Sequence, residues 1–189
     1  VSRGLECYAL SVDYGQHCRT EIAAGRRLAA RVGVREHQVV SVALSQLGGS
    51  ALLGETQVPA ADQASHRFGI PETYVPARNT TLLSIALGWA EVLGAYRVFI
   101  GANSLDYSGY PDCRPAFVAA FETLANLATA ATADGEHTYT IHAPLIELSK
   151  GEIIRLGLSM GVDYGLTHSC YDPAADGTSC GRCDACRLR

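Results

Sequence analysis

Four cysteines near the carboxyl terminus, Cys170, Cys180, Cys183 and Cys186, have the spacing best suited to chemistry in this sequence. Three form a Cys-x2-Cys-x2-Cys run, and the fourth is brought back by a loop rich in Asp, Pro and Gly. Thiols so arranged converge on one tetrahedral ion, and Gly181 lets the backbone turn tightly around it. The ion would draw off the thiol protons and tie down a segment too short and polar to hold itself by a core. Structural zinc, one per chain, is the favoured reading. A cubane iron–sulfur cluster suits the same spacing and is its rival. Disulfides fit less well, because the cysteine total is seven and no export signal or apolar span points to an oxidising compartment. Cys7, Cys18 and Cys113 lie far apart in sequence, and Cys7, in an apolar run, reads as a core residue.

A second set of residues suggests anion and heterocycle binding. Lys150 is the only lysine among 15 basic side chains, a compact ammonium kept where arginine is otherwise used. It follows Ser149, which opens a Ser-x-x-Glu capping box with Glu152. Arg78 and Asn79, in VPARNTT, stand at the mouth of the longest helical pattern, where a guanidinium beside a helix start suits a phosphate or carboxylate. An ordinary N-cap at Asn79 or Thr80 would leave the same trace. The segment GANSLDYSGYPDCRPAF, residues 101–117, crowds Asp106, Tyr107, Tyr110 and Asp112 between a strand and a helix. Aspartates accept the N–H groups of a guanine-like base, and tyrosines offer stacking faces. His168 is a weaker candidate beside a complete cysteine set.

The elements that must position these groups alternate. Strands are expected over 5–12, 38–42, 97–102 and 138–143, and helices over 20–32, 80–95, 115–131 and 149–160. Thr20 is the expected N-cap of the first helix and Gly33 its stop. Ile22, Leu28, Ala29 and Val32 supply its apolar face. The 80–95 helix is apolar on most faces and reads as buried between layers. Residues 54–77 show no period and read as a long loop. The alternation implies an α/β fold with a doubly wound parallel sheet, and ligands beyond the carboxyl ends of its strands. Asp13, Tyr14, Gly15 and Gln16 leave the first strand at such an end.

With 189 residues, 48% of them hydrophobic, the chain reads as one domain, 1–189, with its metal-binding tail at 168–189. A net charge of −4 argues against direct nucleic-acid binding, and no apolar run is long enough to span a membrane. Free thiols with no export signal read as cytoplasmic.

Taken together, ALSVDYGQ (9–16), VPARNT (75–80), the 101–117 segment, LSKGEII (148–154) and the terminal CYD…CGRCDACRLR (170–189) resemble the 7-cyano-7-deazaguanine synthases. These belong to the N-type, or PP-loop, ATP pyrophosphatases, whose fold is that of the adenine nucleotide alpha hydrolases. SGYPDCR and the cysteine tail are the specific matches; the other motifs are shared with the GMP, NAD and argininosuccinate synthetases. The resemblance implies a homodimeric ligase that uses ATP with Mg2+ and ammonia to convert 7-carboxy-7-deazaguanine, through an amide, to the nitrile that precedes queuosine and archaeosine. It places adenine near Asp13–Gln16, phosphate on Arg78, Asn79 and Lys150, and the deazaguanine near Asp106, Tyr107, Tyr110 and Asp112. Arg78 and Lys150 would be the catalytic cations. The family's SGGxDS phosphate loop has no counterpart here, and VSRGLECYAL resembles the region after it, so an incomplete chain is expected, with a degenerate homologue as the alternative. Another N-type pyrophosphatase acting in tRNA thiolation or amidation, or a non-catalytic zinc-stapled nucleotide-binding module, are the competing functions.

Overall fold

A computed structural model describes residues 4–54, 57–62, 66–67, 69–104 and 110–189. It forms two compact units, residues 1–75 with 154–189 and residues 76–153.

In the first unit, β1 (Tyr8–Asp13) lies parallel to β2 (Glu36–Ser41), in register from Tyr8 opposite Glu36 to Asp13 opposite Ser41. A parallel pair needs a crossover, and α1 (Thr20–Val32) supplies it. Gly33 ends α1 in the left-handed conformation (φ 71°), donating its N–H to the Ala29 carbonyl as expected. Thr20 is not the N-cap. It is the first helical residue, and Arg19 holds the cap position without a side-chain bond. The buried face of α1 is also narrower than its apolar residues suggest. Ala24 and Ala29 are buried, whereas Val32 is exposed. Small residues serve here because α1 lies close over β1, where a Cβ at Gly25 would meet Ser11 Oγ at 3.1 Å.

Among its described residues, the stretch read as a loop carries β3 (His66–Arg67) and β4 (Ile70–Pro71), a short antiparallel pair. Cys7 precedes β1 and is half-buried, its thiol 3.5 Å from the Leu5 carbonyl, so it is not a core residue.

In the second unit, β5 (Arg97–Phe99) and β6 (Thr140–His142) are parallel, with Val98 opposite Ile141. α2 (Arg78–Leu93) precedes β5, and α3 (Pro115–Ala128) makes the crossover to β6. The core gathers Leu83 and Leu87 from α2, Phe121 from α3, Val98 from β5, and Tyr139 and Ile141 at β6. Burying each large side chain contributes roughly 1.5–3 kcal/mol. α2 is fully buried along one stripe only, half-buried on its flanks and exposed along another stripe. Leu83, Leu87 and Ala90 form one stripe, and Val92 is exposed. A helix apolar all round still presents one face to a two-stranded layer.

α2 also starts two residues before the expected Thr80, at Arg78, so neither Asn79 nor Thr80 caps it. Its N-cap is Ala77, whose φ of 54° is the only positive value at a non-glycine among the described residues. α4 (Lys150–Ser159) opens on the predicted capping box: Ser149 N–H donates to Glu152 Oε2 at 2.8 Å, and Glu152 N–H returns a bond to Ser149 Oγ at 3.3 Å. The last helix, α5 (Asp184–Leu188), carries Cys186.

Candidate functional site

The thiol sulfurs of Cys170, Cys180, Cys183 and Cys186 lie within 4.8 Å of one another. Bonds of about 2.3 Å to one zinc ion would set tetrahedral sulfurs about 3.8 Å apart. Cys180 Sγ and Cys186 Sγ stand at 3.9 Å. A cubane, which seats each sulfur on a different iron, would hold them farther apart, so the spacing fits a single ion. None of the seven cysteines forms a disulfide.

Local structure prepares this set. Gly181 takes φ 70° in the Cys180–Cys183 turn, and Cys183 is the N-cap of α5. The Cys180 N–H donates to Cys170 Sγ at 3.2 Å. Burial pushes the Cys170 thiol up to about 12 despite that bond. Burial also raises Cys180, but the N–H groups of Arg182 and Cys183 and the neighbouring thiols outweigh it and bring the thiol down to about 6. The chain's own N–H groups therefore favour the thiolate at Cys180, and a bound cation's charge would add to that effect across the set. Such donors fit structural zinc. His168 does not join them; its Nε2 lies 3.1 Å from the Cys170 carbonyl oxygen. Around the knuckle, Arg182 pairs with Asp172 at 2.6 Å, the Ala61 N–H donates to the Arg182 carbonyl, and Arg189 donates to the Tyr164 and Thr167 carbonyls.

The second unit brings several candidates of the other set together. The Asn79 N–H donates to Asp112 Oδ2 at 3.0 Å, and Asn79 Nδ2 donates to the Asp112 carbonyl at 2.9 Å and to Cys113 Sγ at 3.3 Å. Asp112, in the short 3₁₀ turn Pro111–Cys113, thus does for α2 what a local N-cap would do. It is only 5% exposed, and its Oδ1 has no hydrogen-bond partner among the described residues. Cys113 is buried beside it. Its thiol is held up by burial and then by the Asp112 charge, against Arg78, the Asn79 amide and the Asn103 N–H.

Lys150, the first residue of α4, places Nζ 3.4 Å from Asn103 Oδ1. Asn103 Nδ2 donates to the Leu145 and Leu148 carbonyls, at 3.0 and 2.5 Å. Sequence reasoning did not single out Asn103. Its signal was slight: an amide a few residues past the carboxyl end of β5. Tyr110 accepts the Cys113 N–H on its carbonyl. Asp106 and Tyr107 lie outside the described residues.

In the first unit, the segment after β1 is tightly self-bonded. Gln16 is buried, its Oε1 accepting the Tyr14 N–H at 2.8 Å and its Nε2 donating to Glu21 at 2.9 Å. Asp13 accepts the Gly15 N–H on Oδ1 and pairs with Arg19 through Oδ2. Tyr14 is buried. Gly15 has φ 83°, and a Cβ there would lie 2.4 Å from Ser45 Oγ. Bulk at Gly15 therefore meets Ser45 first.

Parallel β-α-β pairs, a polar cluster at a helix mouth and a four-thiol knuckle define an α/β protein with a metal-stapled tail. The chain belongs to the family described as queuosine biosynthesis protein QueC, whose model matches residues 1–189. It is 62% identical over 186 residues to a 7-cyano-7-deazaguanine synthase of Azoarcus sp. (strain BH72), covering 98% of this chain and 80% of that protein. It is 60% identical over 188 residues to one from Frankia casuarinae, covering 99% and 78%, and 58% identical over 188 residues to one from Geotalea uraniireducens, covering 100% and 81%. No helix among the described residues is long and apolar enough to cross a membrane.

Proposed function

We propose that this chain carries the ligase chemistry of the 7-cyano-7-deazaguanine synthases. ATP activates the carboxylate of 7-carboxy-7-deazaguanine, ammonia displaces the leaving group to give the amide, and a second ATP-dependent dehydration yields the nitrile. Tetrathiolate zinc keeps the tail folded and takes no part in the reaction. Mg2+ accompanies ATP.

The observation that carries the substrate reading is the buried Asp112. One of its oxygens is spent on the start of α2, and the other, without a partner among the described residues, can accept an N–H of the deazaguanine. A buried acceptor left unmade costs about 1–3 kcal/mol, which a bound base recovers. Tyr110 stands at the start of the same turn, and Asp106 and Tyr107 remain candidates for the base from the sequence alone. Arg78 and Asn79, at the N-terminus of α2, and Lys150, at that of α4, suit the phosphates. There the two cations offset the charge that develops on the ATP phosphates in each transfer. The adenine is assigned to the segment Asp13–Gln16, as the resemblance implies. A homodimer acting in the cytoplasm completes the reading.

Calorimetric titration of the full-length protein with 7-carboxy-7-deazaguanine, with and without ATP, tests this. Binding should weaken about tenfold to a hundredfold in Asp112→Asn, which keeps an oxygen for the Asn79 N–H and turns the other position into a donor. Unchanged affinity in that variant would remove Asp112 from the substrate site. No binding by the wild-type protein would favour the non-catalytic nucleotide-binding module.

A further inference from the structure

We propose that Asn103 is a positioning residue that aims the Lys150 ammonium, an inference that rests on the phosphate role given to Lys150 above. Its amide has no freedom to turn over. Nδ2 faces two carbonyl oxygens, those of Leu145 and Leu148, and a flipped amide would set oxygen against oxygen at both. Oδ1 must therefore point the other way, where Lys150 Nζ lies at 3.4 Å.

The two carbonyls belong to the turn that enters α4, and Leu148 immediately precedes the capping serine. Ser104 adds to the same seam, its N–H and Oγ both donating to the Ile146 carbonyl. The capping box fixes where the backbone of Lys150 stands, but a lysine carries four rotatable carbons beyond it. Asn103 Oδ1 gives the ammonium an acceptor whose direction is fixed. A distance of 3.4 Å suits a guide that a phosphate can outbid, and the ammonium keeps three donors to share.

Asn103 also faces the other half of the cluster. Its backbone N–H points to Cys113 Sγ, and that sulfur receives Asn79 Nδ2. One residue thus registers the lysine at the start of α4 against the Asp112–Asn79 pair at the start of α2. A residue that only closed the 145–148 turn would need its amide nitrogen and nothing else.

A double-mutant cycle in the full-length enzyme separates these roles, using Asn103→Ala, Lys150→Ala and the pair, with zinc content and Tm as controls. Asn103→Ala should lower kcat about tenfold or more with the KM for 7-carboxy-7-deazaguanine unchanged, the scale of a misplaced charged group. In the Lys150→Ala background it should add no further loss. An equal loss in both backgrounds would show that Asn103 acts without Lys150, and wild-type kcat in Asn103→Ala would end the proposal outright. Wild-type turnover in Lys150→Ala would instead overturn the role of the lysine, and the positioning role with it. Should the alanine variant not fold, Asn103→Ser is the milder truncation, its hydroxyl standing a bond short of the place of the amide oxygen, and the same cycle is read on it.

Discussion

The metal knuckle and the helix-mouth cluster are built in opposite ways. The knuckle draws all four ligands from residues 170–186, and a glycine turn and backbone N–H groups within that stretch preform it. The cluster draws Asn79, Asn103, Asp112 and Lys150 from four separate places in the second unit, and only the fold brings them together. A site whose geometry is local survives in the sequence as a spacing. A site whose geometry is tertiary survives only as residue types. The two should also fail differently: loss of a ligand should undo the first, whereas loss of a side chain in the second should leave the fold and remove a rate.

The largest effect is expected at Cys183, the most buried ligand at 1% exposure. Structural zinc contributes an apparent ~10–16 kcal/mol where it is the organising element of a segment. Cys183→Ala should lose most of its metal by elemental analysis, and amides of residues 170–189 should exchange at unfolded rates. The wild-type protein should hold about one zinc per chain and show no visible cluster absorption. A coloured protein with iron in place of zinc would reopen the cluster reading.

Next comes Lys150→Ala. Turnover should fall by about a hundredfold or more, the scale of one lost charged transition-state contact, with zinc content and Tm unchanged. Lys150→Arg should recover only part of it, because a planar fork does not stand in for a compact ammonium. If the alanine variant turned over normally, or lost zinc, the contrast between the two sites would collapse.

What could be read from sequence follows the same division. The ligand set, the glycine stop of α1 and the Ser149–Glu152 box are short-range patterns, and each is found where its spacing puts it. Thr20 and Asn79 looked like caps because capping is usually local. At α2 the carboxylate comes instead from Asp112, 33 positions away, and no window of sequence contains both partners. Asn103 was passed over for the same reason, since its three amide bonds reach residues 42 to 47 positions on. The exposure of Val32 and Val92 shows a related gap: periodicity says which residues can face a core, while the size of the facing layer decides how many do.

A smaller effect is expected at Gly15. Valine there suffers twice, from a Cβ 2.4 Å from Ser45 Oγ and from a φ of 83° that β-branched residues avoid. A cost of about 1–3 kcal/mol follows, read as a lowered Tm. Adding Ser45→Gly should return the part due to collision and leave the part due to φ. If Gly15→Val kept the wild-type Tm and lost only ATP affinity, the glycine would be facing a ligand rather than Ser45.

The smallest effect should come at Cys113, where the two sites are easiest to tell apart. It is a buried cysteine like Cys170, but it lies in the other unit and its neighbours are Asp112, Asn79 and Arg78 rather than thiols. Burial, and then the Asp112 carboxylate, hold its proton on above the usual thiol range, so the thiolate needed for alkylation is scarce. In zinc-loaded protein at pH 8, intact-mass and peptide mapping after iodoacetamide should therefore find Cys113 unlabelled. As pH rises toward and past its raised value, labelling should increase, because the charged form then begins to populate. Cys113→Ala should keep full zinc content and cost about 1 kcal/mol, the worth of the weak contacts that Asn79 Nδ2 and the Asn103 N–H make to the sulfur. Rapid labelling of Cys113 at pH 8 would mean that the pocket around Asp112 is open to solvent, and that its unpartnered oxygen is met by water rather than kept for a base.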